Sequence, residues 1–152
     1  REFNIASVSA RLVLSVILGG LIGMERGRRG RAAGLRTHIL VCLGAAMASL
    51  LGVFITKELE ISSDAGRIAA QVISGIGFLG AGCIIVNNNR IKGLTTAAGL
   101  WTTACIGLCC GIGYYFMAIM VTIKSILVIL STLRFLLRIL LVLRLRFSLK
   151  MV

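Results

Sequence analysis

Glu25-Arg-Gly-Arg-Arg-Gly-Arg-Ala-Ala-Gly-Leu-Arg36 places five arginines in the gap between two apolar runs, residues 5–24 and 39–56. A run of about 20 mostly apolar residues is what an α-helix needs to cross a bilayer. A short, densely basic connection between two such runs is the pattern of a cytoplasmic loop. Working outward, the same alternation recurs. Residues 68–86, 94–111 and 114–133 are further apolar runs, and the second basic connection is Asn87-Asn-Asn-Arg-Ile-Lys-Gly93.

Composition agrees. Apolar residues make up 58% of the 152 residues even without the 18 glycines, and the mean hydropathy is +1.00. A soluble domain of this size has too little interior to hide that much apolar surface. A soluble enzyme, a disordered chain and a secreted disulfide scaffold are therefore excluded. The long runs lack the period-two alternation of barrel strands, so the spans are helical. The expected fold is an all-α integral membrane protein, a five-helix transmembrane bundle over residues 1–133.

Charge sets the direction. Seventeen Lys and Arg stand against five Asp and Glu. The two basic loops and the tail after residue 133 carry twelve basic residues, whereas Arg1, Lys57 and Arg67 are the three on the opposite side. Under the positive-inside rule this puts the N-terminus outside and the C-terminus in the cytoplasm. Nucleic acid is not the expected partner, because the basic residues sit between membrane-length runs and few aromatic side chains are available to stack on bases. The tail, residues 134–152, spaces Arg134, Arg138, Arg144 and Arg146 among apolar residues and reads as a basic amphipathic helix lying on anionic headgroups.

Polar residues mark helix starts. Thr37 is the expected cap of span two, and Ser62, Ser63 and Asp64 offer caps for span three. Thr95 and Thr96 stand where span four begins. With no proline in the chain, kinks must come from glycine or inserted polar groups. Small residues let helices approach closely in lipid. Gly19 and Gly23 share a face of span one, and Gly75, Gly77, Gly80 and Gly82 crowd span three. Spans one, three and four are expected to form the tight centre, with span five peripheral and a homodimer through a glycine-rich face.

Several motifs fail. Gly75-Ile-Gly-Phe-Leu-Gly80 matches a dinucleotide fingerprint, but it lies inside an apolar span and no acid follows Asp64. Five cysteines, at 42, 83, 105, 109 and 110, lie within spans and read as small packing residues. His38 is the only histidine and falls at the other end of the spans from Cys105, Cys109 and Cys110. No metal site, cofactor or catalytic triad is expected, and the chain reads as non-enzymatic.

The polar residues gather on the basic side. Glu25, Arg26, Arg36, Thr37, Thr95 and Thr96 fall at one membrane depth, beside the positive ends of helices two and four. Glu25 is the one acid on that side and needs a cation, with Arg26 or Arg36 expected. The pocket would suit an anion or a partner's carboxylate, or else be a structural ion pair with arginines at lipid phosphates. On the outer side Asp64 and Arg67 are spaced to pair, and Gln71 follows one turn later. Lys124 falls within span five, facing a cavity or marking a span shifted toward the tail.

Three blocks carry a family likeness: Gly-Gly-Leu-Ile-Gly-Met-Glu-Arg (19–26) with Ala-Gly-Leu-Arg-Thr-His (33–38); Gly-Arg-Ile-Ala-Ala-Gln (66–71) with Ser-Gly-Ile-Gly-Phe-Leu-Gly-Ala-Gly (74–82); and Gly-Leu-Thr-Thr-Ala-Ala-Gly-Leu-Trp (93–101). In this order and spacing the chain resembles the MgtC/SapB family. The resemblance implies a five-span bacterial inner-membrane protein linked to growth in low magnesium and to virulence. It also implies regulation of other membrane proteins, the ATP synthase among them. Its pattern falls on Glu25, Arg26, Arg36, Thr37, Asp64, Arg67, Gln71, Thr95 and Trp101. Many members continue into a soluble ACT-like domain, which this sequence does not show. The expected function is a non-enzymatic regulator that works by helix contact. The alternative is a transporter or channel for Mg²⁺ or another small ion or anion. Mg²⁺ favours carboxylates and water, yet no span holds an acid in its central part and arginines surround the inner mouth.

Overall fold

The computed structural model describes residues 4–57, 64–87 and 90–130. They form α1 (Ile5–Arg28), α2 (Leu35–Lys57), α3 (Ala65–Gly82), a hairpin of β1 (Ile85–Asn87) and β2 (Arg90–Lys92), α4 (Leu94–Ile112) and α5 (Tyr115–Leu130). Of these, α1, α2 and α4 are long and apolar enough to cross a membrane. Ser62, Ser63, the end of span five past residue 130 and the tail 134–152 lie outside the described residues.

The five helices match the five apolar runs, with shifted ends. The Asn4 side chain accepts a hydrogen bond from the Ala6 amide at the start of α1. That helix continues to Arg28, and the chain then turns at Gly30, whose φ is +60°. Because α2 starts at Leu35, Thr37 lies inside its first turn and is not its cap, contrary to expectation. Asp64 does cap α3, its Oδ1 accepting from the Gly66 amide at 2.8 Å.

Span three was expected to run to residue 86 as one helix. Instead α3 stops at Gly82 and the chain enters the hairpin, with Ile85 opposite Lys92 and Val86 opposite Ile91. Ile-Ile-Val is β-branched and suits a strand, but a short apolar run has no periodicity to separate strand from helix. Gly93 then links the hairpin to α4. Its φ is +99°, and a Cβ there would run into the Cys83 carbonyl at the end of α3. Only glycine lets the end of α3 meet the start of α4 so closely.

The centre is α1, α2 and α4, which corrects the expected trio of spans one, three and four. A Cβ on Gly19 would lie 2.7 Å from the Cys42 Cβ, and one on Gly23 would lie 2.8 Å from the Leu35 Cα. From the other side, a Cβ on Gly107 would strike the Cys42 carbonyl, and one on Gly111 the Ala46 carbonyl. So α1 and α4 each lay a Gly-x-x-x-Gly face on α2, which meets them with Cys42, Ala45, Ala46 and Ser49, all buried. This is close-approach packing, in which backbone contact replaces side-chain bulk. The density of glycine in span three pointed to the wrong helix, because α2 supplies small residues of other types.

Helix α3 packs on this centre along one side only. Gly80 meets Ala97 of α4, and Ile76 is buried beside Ala45, Ala104 and Leu108. Around Gly75, Gly77 and Gly82 nothing lies within 4 Å of an added Cβ. Phe78 is 85% exposed. Helix α5 joins the core through Ala118, with Val121, Ile126 and Ile129 packed against Leu18, Ile22 and Cys110.

Candidate functional site

One end of the bundle collects the polar side chains. Arg26, in the last turn of α1, is 3% exposed and its Nη2 donates to the Thr96 hydroxyl of α4 at 2.8 Å. Thr96 lies in the first turn of α4 and is itself buried. His38, on α2, is fully buried. Its Nδ1 stands 2.9 Å from the Gly34 carbonyl. A carbonyl only accepts, so Nδ1 carries the proton. A Cβ added to Gly99 of α4 would lie 3.6 Å from the opposite ring nitrogen, Nε2. Arg26 Nε and His38 Nε2 are both buried without a hydrogen-bond partner among the described residues. The site thus joins α1, α2 and α4 through a buried cation and a buried imidazole.

Contrary to expectation, Glu25 pairs with neither Arg26 nor Arg36. Its carboxylate takes Arg29, four residues on, at 2.6 Å, with both side chains partly buried. The reason is helical continuation: α1 runs through Arg28, so Glu25 and Arg29 fall on one face. Arg29 Nη1 also donates to the Ile129 carbonyl of α5 at 3.0 Å. Glu25–Arg29 is the one ion pair among the described residues.

These bonds fix the register of the helices. Arg26–Thr96 brings the end of α1 to the start of α4, Arg29–Ile129 brings in α5, and the Cys83–Gly93 contact brings in α3. Five helix ends therefore meet at one level. Lys124 is five residues from Ile129, about 7.5 Å along α5 at the helical rise. It therefore falls near the middle of α5, and it lines an opening, as one of the two expectations had it.

The expected cluster is otherwise divided. Arg36 and Thr37 line a groove of about 560 Å³ between α2 and α3, whose walls include Leu40, Val72, Gly75 and Leu79. Thr95 lines a separate opening of about 350 Å³ between α1, α4 and α5, together with Lys124 and Ile22. Trp101 is half-exposed on α4.

At the other end, Asp64, Arg67 and Gln71 are all exposed along α3. Asp64 is committed to its cap, so the expected ion pair with Arg67 is not formed. The residue that matters there is Arg11. It is 6% exposed, and its Nη1 donates to the Gly111 carbonyl at 2.8 Å. A guanidinium at the C-terminus of α4 satisfies a carbonyl that the helix leaves free and meets the negative end of its dipole. The signal was legible: a cation a quarter of the way along an apolar span needs an interior partner. His38 was harder, since nothing in its neighbours in sequence shows that α1 and α4 enclose it.

A family model for the MgtC family matches residues 12–139. The chain belongs to the MgtC family. It is 45% identical over 123 residues to Putative magnesium transporter YhiD of Escherichia coli strain K12, covering 78% of this chain and 57% of that protein. Over 113 residues it is 50% identical to Protein MgtC of Salmonella typhimurium strain LT2, covering 74% of this chain and 46% of that protein. Protein MgtC of Brucella abortus is 47% identical over 111 residues, or 72% of this chain and 44% of the relative. The chain thus spans about half the length of the curated relatives it matches. No solved structure matches it.

Proposed function

We propose that this MgtC-family chain is a non-enzymatic, multi-pass protein of the bacterial inner membrane that regulates other membrane proteins by helix contact, in a role tied to magnesium limitation and virulence. Its basic end faces the cytoplasm and meets anionic headgroups, as the twelve-to-three bias of basic residues argues.

The observation that carries this reading is the open face of α3. Ser74, Gly75, Phe78 and Gln71 are exposed on a helix whose other side is packed, and no side chain among the described residues covers Gly75, Gly77 or Gly82. In lipid, a small-residue face with an amide is suited to receive a second helix, and an unpaired amide there is costly. The occupant is a second copy of the chain or a helix of a regulated partner, the ATP synthase being the one the family resemblance suggests. The hydroxyls of Thr56, Thr102, Thr103, Thr122 and Ser125 each donate to the carbonyl four residues back. They are therefore not poised as nucleophiles.

The name of the E. coli relative makes ion flux the measurement that decides. The purified chain in liposomes is expected to pass no Mg²⁺ above protein-free controls. Cysteines introduced at Ser74 or Phe78 are expected to cross-link to a second copy or to a co-expressed partner in membranes. Flux above the control would overturn the regulator, as would the absence of α3 cross-links in a chain that is folded and inserted.

A further inference from the structure

The opening between α1, α4 and α5 differs in kind from the other grooves. Its walls are apolar, with Ile22, Val121 and Val128 among them, yet Lys124 enters it from α5 and Thr95 from α4. The one carboxylate at this end among the described residues, Glu25, is taken by Arg29, and no ion pair among the described residues includes Lys124. The Thr102 and Ser125 hydroxyls in the same lining are committed to the Ala98 and Val121 carbonyls. Thr95 stands in the first turn of α4, which has no side-chain cap. Amides at such a start have no carbonyl one turn back and present the positive end of the helix dipole.

We propose that this groove holds one anionic phospholipid from the leaflet at the basic end. Its phosphate sits between Lys124 and the start of α4. The upper part of an acyl chain lies along Ile22, Val121 and Val128. At about 350 Å³ the opening is at the lower end of ligand sites. It takes a phosphate–glycerol region and the beginning of a chain, the remainder staying in the bilayer. A helix, about 10–12 Å across, does not fit there, which separates this groove from the open face of α3. The depth also suits a lipid: Lys124 stands about 7.5 Å along α5 from Ile129, within reach of the headgroup level for a long, flexible stem. The proposal rests on reading these helices as membrane-spanning and needs no protein partner.

The test is native mass spectrometry of the full chain, extracted from membranes in detergent and given equal amounts of phosphatidylglycerol and phosphatidylcholine. The wild type should retain one phosphatidylglycerol, favoured about fivefold, the worth of one lysine at an anionic surface. Lys124→Met should abolish the preference and Lys124→Arg should keep it. Ala98→Phe, which fills the groove and leaves the charge, should lower retention of both lipids. Inorganic phosphate at millimolar concentration should displace neither. Equal retention of the two lipids by the wild type would overturn the proposal. So would an unchanged preference in Lys124→Met, or displacement by inorganic phosphate, which would make this a site for a free anion. Circular dichroism and elution volume show whether each variant has folded, and recovery of the wild type from the membrane fraction tests the membrane reading separately.

Discussion

Glycines in two parts of this molecule look alike in sequence and behave oppositely. On α1 and α4, Gly19, Gly23, Gly107 and Gly111 are pressed against the backbone of α2, with no room for a methyl group. On α3, Gly75, Gly77 and Gly82 face open space. The first set builds the protein. The second is left uncovered by the described residues of the chain that carries it. A helix pays about 1 kcal/mol for each interior glycine relative to alanine, so an uncovered glycine face is a cost without a return inside this protomer. That asymmetry is the physical basis for proposing that α3 is where another helix docks.

The contrast is open to direct attack. The largest effect is expected at Gly107→Leu, where the new side chain strikes the Cys42 carbonyl. Overpacking of this kind costs about 3 kcal/mol or more, and the chain should fail to accumulate or should lose its cooperative thermal transition. An intermediate effect is expected at Thr96→Val. It keeps the shape of the side chain but removes the acceptor of the buried Arg26 guanidinium, at a cost of about 2 kcal/mol, read as a lower melting temperature. The smallest effect on the fold is expected at Gly75→Ala. It should leave stability unchanged or raise it by up to about 1 kcal/mol, while reducing cross-linking through α3. If Gly75→Ala destabilised the isolated chain as much as a change at Gly107, the two faces would not differ and the docking reading would fall.

The polar residues divide in the same way. Glu25 and Arg29 form a partly exposed pair of the sort that contributes at most about 1 kcal/mol, whereas Arg26 and His38 are enclosed by three helices and tie the bundle end together. Both kinds are written in one basic loop and its flanks. Nothing in the order of residues from 25 to 38 shows which side chains turn inward, because that depends on how far α1 continues and where α2 begins.

Much was legible before any fold was known. Five apolar runs of helical length, the arginine-bearing connections and the cap at Asp64 follow from local chemistry, since hydrophobic length, charge bias and turn preference act within a few residues. Three family blocks, read in order, named the family that the chain belongs to. What required the tertiary structure was every relation between helices. It put α2 at the centre, and it showed Arg11 closing the end of α4. It also paired Arg26 of α1 with Thr96 of α4 and split the expected cluster between two grooves. Gly-x-x-x-Gly has the same spelling whether it is buried or bare. Which of the two it becomes is decided by the surface of the helix lying opposite, and no local pattern records that surface.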